Sequence, residues 1–124
     1  MADKIATELA PKAIGPYAQG VKSQDYIFVS GQLPIDSQTQ KIVEGIGTQT
    51  EQSIKNIKVI LEAAKVTLNN VVKTTCYLTR MEDFAEFNAV YEKYFTAKPA
   101  RSCVVVKELP KGARCEIEVI AEVI

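Results

Sequence analysis

Residues 114–123 alternate between two kinds of side chain, and this stretch limits the possible folds more than any other. Successive side chains of a β-strand point to opposite faces, so a period of two predicts a strand with two different faces. One face would carry Cys115, Ile117, Val119, Ala121 and Val123, and the other Arg114, Glu116, Glu118, Ile120 and Glu122. We therefore expect a sheet with one face on a core. The second face either meets solvent or packs against other subunits.

Two helices are predicted from apolar residues at helical spacing. The first covers about residues 48–65, where Thr48 and Glu51 have the spacing of a capping box. The second covers about residues 81–95 and ends before Pro99, because the residue before a proline is disfavoured in the helical conformation. The stripes consist of Ile54, Ile57, Ile60, Leu61 and Ala64 in the first helix, and Phe84, Phe87, Tyr91, Tyr94 and Phe95 in the second.

The remaining segments are rich in β-branched and aromatic residues and predict further strands. The strands are expected at about 26–30, 71–78, 101–107 and 114–123, with a weak one near 42–43 and a short one entered from the loop of residues 14–21. This element order predicts an α+β architecture. We expect one mostly antiparallel sheet with two helices on one face.

The strand at 26–30 is apolar at consecutive positions, as in a central strand covered on both sides. We expect it to stop at Ser30-Gly31. A glycine at that point indicates a bulge, or the close approach of another backbone or a ligand. Because this strand is apolar on both faces, we favour subunit packing over solvent for the helix-free face of the sheet.

The length, charge and apolar content of the chain argue against several classes of protein. A chain of 124 residues predicts one domain over 1–124, and its 15 basic and 15 acidic residues cancel. The chain therefore has no net positive charge to attract nucleic acid, which argues against a nucleic-acid partner. The apolar runs are much shorter than the roughly 20 residues of a membrane-spanning helix, so no membrane partner is expected. The start of the chain lacks a signal-peptide core, so a cytoplasmic location is expected.

Histidine is absent, and the three cysteines form no CxxC pair. The commonest general base, the usual catalytic triads and most zinc sites are therefore excluded, and we expect no metal and no cofactor. Cys76, Cys103 and Cys115 lie in strand-like surroundings, which favours free and mostly buried thiols. Any chemistry must use carboxylates, Arg, Lys, Tyr, Ser, Cys or backbone groups.

Arg101 stands at the start of an apolar strand. Its planar guanidinium suits a carboxylate held by two parallel hydrogen bonds, so one hypothesis is an anchor for a small substrate. The other is a solvated arginine, or one paired with a structural Asp or Glu. If the last two strands form a hairpin, Arg101 and Glu116 could be near neighbours. Asn88, on the apolar side of the second helix, would bond to the backbone of a nearby loop or shape a site.

Several separated motifs occur in order along nearly the whole chain. They are AIGPYAQG at 13–20, VSGQLP at 29–34, QTEQSIKNIKVILEAA at 49–64, VVKTTCYL at 71–78, FAEFNAVYEKYF at 84–95, PARSCV at 99–104 and LPKGARCEIEVIA at 109–121. In these motifs and their spacing the chain closely resembles the RidA (YjgF) family of imine/enamine deaminases. Each motif is weak alone, but the ordered set is specific.

The resemblance implies a chorismate-mutase-like fold and a homotrimer, with the sheets facing a central barrel and the helices outside. It also implies sites in clefts between adjacent subunits. The activity it implies is hydrolysis of 2-imino acids and their enamine tautomers, such as 2-aminoacrylate, to 2-keto acids and ammonia, without a cofactor. Some relatives are described as ribonucleases that inhibit translation. A non-catalytic trimer that binds small carboxylates or acts as a chaperone is a third possibility.

Site residues follow from the resemblance position by position. Arg101 matches the arginine that grips the substrate carboxylate, Glu116 the glutamate that positions or activates water, and Cys103 a residue whose backbone contacts substrate. The residues that match the cleft lining are Tyr17, Ser30, Gly31 and Asn88.

Plainer roles remain open for some of these residues. Tyr17 would pack beside Pro16, and Ser30 would only end its strand. No base is evident for the Cys103 thiol, which favours a structural role. The segment 96–98 is shorter than the loop of many family members, which leaves the preferred substrate size open.

Overall fold

The computed structural model describes residues 2–123, in which six strands form one sheet with two helices packed on it. The strands are β1 (Asp3–Ile5), β2 (Gly20–Ser23), β3 (Tyr26–Gln32), β4 (Val71–Leu78), β5 (Ala100–Val105) and β6 (Cys115–Glu122). The helices are α1 (Ile46–Ala63) and α2 (Phe84–Tyr94). The sheet order is β1-β2-β3-β6-β4-β5. No helix of the described residues is long and apolar enough to cross a membrane.

The sheet is mostly antiparallel, as predicted, since only the β4–β5 pair is parallel among the pairs of described strands. The hairpin considered for the last two strands does not form. The helix α2 connects β4 to β5 as a crossover, which makes those two strands parallel. β6 then takes the other edge of β4, so β4 separates β5 from β6. Arg101 pairs with Thr74, and Glu116 pairs with Tyr77, on opposite edges of β4.

The alternation of the last strand is confirmed in the burial of its side chains. Cys115, Ile117, Val119 and Ala121 are all buried and belong to the core beneath the helices. The other face of the sheet has no helix on it, and there Phe28 of β3 is 45% exposed and stands beside Ile120 of β6. Within one chain, β3 is therefore covered on one face only.

The ends of several elements differ from the predictions. α1 begins at Ile46, two residues early, because Ile46 is buried in the core and Gly45 supplies the left-handed turn (φ 87°) before it. The capping box of Thr48 and Glu51 is accordingly wrong, since both residues lie inside the helix and no side chain caps it. The weak strand near residues 42–43 is a single bridge between Ile35 and Ile42.

The predicted start of the second helix is a short 3₁₀ turn, Met81–Asp83, that leads into α2. Asp83 is 3% exposed and accepts hydrogen bonds from Arg114 Nη2 at 2.6 Å and Arg80 Nη2 at 3.0 Å. Those hydrogen bonds, chiefly from Arg114, hold the pKa of Asp83 below its ordinary value despite its burial. This cluster ties the start of α2 to the residue just before β6, and thereby fixes the strand that carries Glu116.

Candidate functional site

Three of the predicted site residues lie together on the helix side of the sheet, and we call Asn88, Arg101 and Cys103 the arginine cluster. Arg101 Nη1 donates a hydrogen bond to Asn88 Oδ1 at 2.7 Å. The guanidinium carbon lies 4.8 Å from the centre of the Tyr91 ring, within the range of a cation–π contact. Cys103 follows two residues later on the same face of β5 and packs against the core. α2 therefore fixes where the guanidinium points.

Arg101 forms no ion pair with any residue of the part of the chain that the structure describes. The side chain is exposed, and only Nη1 has a hydrogen-bond partner among residues 2–123. Nε and Nη2 form one edge of the guanidinium, with two parallel N–H donors directed away from the same side. The structural ion pair considered from the sequence is thus wrong. This geometry leaves the Nε–Nη2 edge of the guanidinium available to bind an external carboxylate.

A cavity of about 350 Å³ adjoins this guanidinium. Lys98 stands in the left-handed conformation (φ 54°) in the short segment 96–98, and this segment forms one wall of the cavity. The cavity is lined by Asn88, Tyr91, Glu92, Phe95, Lys98, Pro99 and Arg101. The short segment therefore borders the space beside the proposed anchor.

Asn88 bonds to Arg101 and to no loop backbone within residues 2–123, so the expected bond to a loop backbone is wrong. Its amide oxygen faces Arg101 because Phe84, Asn88 and Tyr91 follow one another at i, i+4 and i+7 on one side of α2. Sequence reasoning placed Phe84 and Tyr91 in the buried stripe and missed their contact with the guanidinium. The sequence feature that could have indicated this contact is Asn88, a single amide among the aromatic residues on one side of the helix.

The second group of predicted residues is on the other side, and we call Tyr17, Ser30, Gly31 and Glu116 the glutamate cluster. The Glu116 carboxylate packs against Gly31, where a Cβ atom would stand 2.8 Å from Glu116 Cδ. Burial raises the pKa of Glu116 above its ordinary value, and the charge of Glu118 adds to this. The bulge predicted at Gly31 is confirmed by the register shift between Val29 and Gln32, whereas the group that approaches closely is the Glu116 side chain and not another backbone or a ligand.

Ser30 does not end its strand, because β3 continues to Gln32 through a bulge between Val29 and Gln32. The Ser30 hydroxyl donates to the carbonyl of Ala18 at 2.6 Å, and its backbone N–H donates to Gln19. The hydroxyl therefore ties the segment before β2 to the bulge, next to Gly31.

Tyr17 is 51% exposed, and its hydroxyl accepts a hydrogen bond from the Ile14 backbone at 3.3 Å. With Gly31 it lines a cavity of about 340 Å³, on whose rim Pro110 and Lys111 also stand. Tyr17 is thus not merely packed beside Pro16. Its ring is open to whatever occupies the cavity.

The sheet separates the two clusters. Arg101 contacts side chains of α2, whereas Glu116 alternates with the core residues Cys115 and Ile117 and so points to the helix-free face. One chain therefore does not bring Arg101 and Glu116 to a common small ligand. A site that uses both residues requires two copies of the chain.

The described part of the chain, residues 2–123, contains no group of three or more His, Cys, Asp or Glu side chains arranged to hold a metal ion. The three cysteines are free, and burial raises the pKa of Cys76 to about 12 and that of Cys115 to about 11. Burial also raises the pKa of Cys103, an effect larger than the opposing one of Arg101. Cys103 is therefore a neutral thiol near neutral pH, which makes it a poor nucleophile.

Replacing Gly31 with alanine will displace the Glu116 carboxylate, because the new Cβ overlaps it. For the hydrolysis of 2-imino acids that the sequence resemblance implies, we expect kcat/KM to fall by about tenfold or more, since a carboxylate displaced by about 1 Å would no longer place a water for the reaction. The matched control is Gly47→Ala, where a Cβ would stand 2.8 Å from another flexible carboxylate oxygen, Glu86 Oε2. Steady-state kinetics and thermal melts test this, and equal activity in the two variants would contradict it.

Comparison with known proteins places the chain in a family. Residues 7–123 match the family model described as Endoribonuclease L-PSP. The chain is 47% identical to the 2-iminobutanoate/2-iminopropanoate deaminase of Salmonella typhimurium, over 98% of each chain. It is similar to the crystal structure of the YjgF gene product of E. coli (TM-score 0.93, 45% identity, 97% of this chain and 98% of that one). It is equally similar to E. coli TdcF with bound serine (TM-score 0.94, 41% identity, 97% and 98%). The chain belongs to the RidA (YjgF) family.

Proposed function

We propose that this protein hydrolyses 2-imino acids and their enamine tautomers to 2-keto acids and ammonia. Its substrates would include 2-aminoacrylate, 2-iminopropanoate and 2-iminobutanoate. The observation that carries the proposal is the Arg101 guanidinium, held by Asn88 and Tyr91 yet without an acidic partner among residues 2–123. Relatives named 2-iminobutanoate/2-iminopropanoate deaminase support the reaction type, and a relative with bound serine supports a small carboxylate ligand.

The proposed chemistry needs orientation and proton transfer. Arg101 holds the substrate carboxylate through its free edge, which directs the iminium carbon toward a water held by Glu116. Water adds to that carbon as Glu116 takes its proton. The proton then passes to the nitrogen of the adduct. Glu116 next takes the proton of the new hydroxyl, so that the C=O bond of the 2-keto acid forms as the C–N bond breaks and ammonia leaves. The raised pKa of Glu116 brings this base closer to neutral pH, where it both accepts and returns a proton. Cys103 contributes backbone contacts, and Tyr17, Ser30, Gly31 and Asn88 shape the cleft.

The opposite placement of the two clusters supports a site between copies of the chain. We propose a homotrimer in which the arginine cluster of one chain meets the glutamate cluster of the next. The helix-free faces would pack around a central barrel, which would cover Phe28 (45% exposed) and Tyr26 (44% exposed). Exposed aromatic side chains on a sheet face are typical of a surface that is buried on assembly.

Mixing two inactive variants tests both parts of the proposal. Wild-type protein is coupled to a serine or threonine dehydratase, and formation of the 2-keto acid is followed. We expect Arg101→Ala and Glu116→Gln to be inactive alone. When they are co-expressed, about a quarter of the sites in randomly mixed oligomers will combine an intact arginine with an intact glutamate, and activity will return accordingly. An inactive mixture beside an active wild type would place the site within one chain, and an inactive wild type would refute the deaminase.

The family description favours a ribonuclease as the second candidate. The balanced charge, 15 basic against 15 acidic residues, argues against it, because RNA binding depends on a basic surface. RNA cleavage that co-purifies with the protein and is lost in Arg101→Ala would favour the ribonuclease. A protein that binds 2-keto acids through Arg101 but fails the coupled assay would instead be a non-catalytic binder.

A further inference from the structure

The Tyr91 ring lies beneath the Arg101 guanidinium, whose carbon is 4.8 Å from the ring centre. Tyr91 is 8% exposed, and its hydroxyl shares a hydrogen bond of 2.7 Å with the hydroxyl of Thr74, which is fully buried on β4. Thr74 is also the residue of β4 that pairs with Arg101 of β5. The strand that positions the arginine backbone therefore also anchors the ring beneath its side chain.

The Tyr91 ring is held on both sides as well as at its tip. Phe87 stacks on Tyr91 with 5.9 Å between ring centres, and Phe95, just after α2, packs tilted against it at 4.5 Å, so Tyr91 is the middle member of an aromatic row. The guanidinium lies over this ring at 4.8 Å and is less close to Phe84, at 5.7 Å. A ring with neighbours on both sides and a bonded hydroxyl presents a fixed surface to the guanidinium.

Two contacts then restrict the guanidinium in different ways. The ring lies against the guanidinium carbon at 4.8 Å, and Asn88 Oδ1 accepts a hydrogen bond from Nη1 at 2.7 Å. Nε and Nη2 are without a partner among residues 2–123. Together the contacts leave one edge of the fork directed to a ligand in a single orientation, which reduces the entropy lost when a carboxylate binds.

We propose that Tyr91, anchored by Thr74, is a positioning residue that holds the plane of Arg101 for the substrate carboxylate. Its role in catalysis rests on the proposed deaminase function, but its effect on Arg101 does not. The competing view is that Tyr91 is only a core residue. That view predicts a loss of stability upon substitution, with no change in the order of the Arg101 side chain.

Three variants separate these views. Tyr91→Leu removes the ring, Tyr91→Phe keeps the ring but removes its anchor, and Thr74→Val removes the anchor from the other side. Tyr94→Leu is the matched control, because Tyr94 lies in the same helix and its hydroxyl donates a comparable hydrogen bond of 2.7 Å to Glu51.

The first measurement is NMR of the Arg101 Nε–Hε group, which needs no enzymatic activity. We expect the Hε signal to be shifted by the ring current of Tyr91 in the wild type and in Tyr94→Leu, and to lie near the shift of a free arginine in Tyr91→Leu. The Hε signals of Tyr91→Phe and Thr74→Val will lie between these two positions. An unchanged signal in Tyr91→Leu, or in both milder variants should that one fail to fold, would overturn the proposal.

The second measurement is binding of 2-oxobutanoate together with deaminase kinetics. We expect Kd and KM to rise by about three- to tenfold in Tyr91→Leu with kcat changed less, because the ring acts on the bound ground state and the transition state alike. Loss of the ring-current shift without weaker binding would overturn the role in carboxylate binding. A wild type that shows the shifted signal and binds 2-oxobutanoate but fails the coupled assay refutes the deaminase alone.

Discussion

For the proposed deaminase, we expect that replacing Arg101 with lysine will lower kcat/KM for 2-imino acids by about ten- to a hundredfold. Lysine keeps the charge but loses the planar fork, and hydrogen bonds between charged groups contribute about 1.5–3 kcal/mol. It also loses the stacking on Tyr91 and the fixed contact with Asn88, so the ammonium would move freely over the cavity. Kinetics with the coupled dehydratase and calorimetric titration with 2-oxobutanoate measure the two effects separately.

The control for this variant is Arg80→Lys, which makes the same chemical change in an arginine that is paired with Asp83 and belongs to neither cluster. Its activity should match the wild type. Both variants should retain the fold, because each side chain is largely solvent-exposed. Wild-type activity in Arg101→Lys would show that charge alone suffices, and the bidentate anchor would then be wrong.

The sequence predicts which face of a strand a residue occupies better than it predicts which strand lies beside it. Alternation in β6 identified the buried positions Cys115, Ile117, Val119 and Ala121 correctly, because burial acts on each residue with a period of two. The sequence left open whether β5 and β6 form a hairpin, and they do not. Strand neighbours depend on the crossover through α2 and on competition for the edges of β4, and neither leaves a local pattern.

In the candidate site, too, local features could be predicted from the sequence, whereas contacts between elements could not. Gly31 was identifiable because a glycine inside an apolar strand indicates a close approach, although the approaching Glu116 could not be named from spacing. Tyr91 was missed because a buried aromatic at helical spacing has the same pattern whether it packs only on the core or also supports a guanidinium. Only the structure distinguishes these two roles, since the contact joins α2 to β5.

Replacing Glu116 with glutamine will lower kcat by about a hundredfold or more, the usual contribution of a general acid–base group. The amide keeps the shape against Gly31 but neither accepts nor returns a proton. Wild-type kcat/KM should rise with pH through the raised pKa of Glu116, above its ordinary value of 4.5, and this limb should disappear in the variant. Glu118→Gln is the matched control on the same face, and it should move the limb to lower pH by removing a neighbouring negative charge.

The Glu116→Gln variant should be more stable than the wild type at pH 7. Because folding raises the pKa of Glu116, chiefly by burial, the ionised carboxylate destabilises the folded state relative to the unfolded one. The wild type therefore loses stability as pH rises through that pKa, whereas the neutral amide does not. The gain in melting temperature should vanish below pH 4.5, where the wild-type carboxyl is also protonated. A variant less stable at pH 7 would show that Glu116 has a favourable partner in the assembled protein.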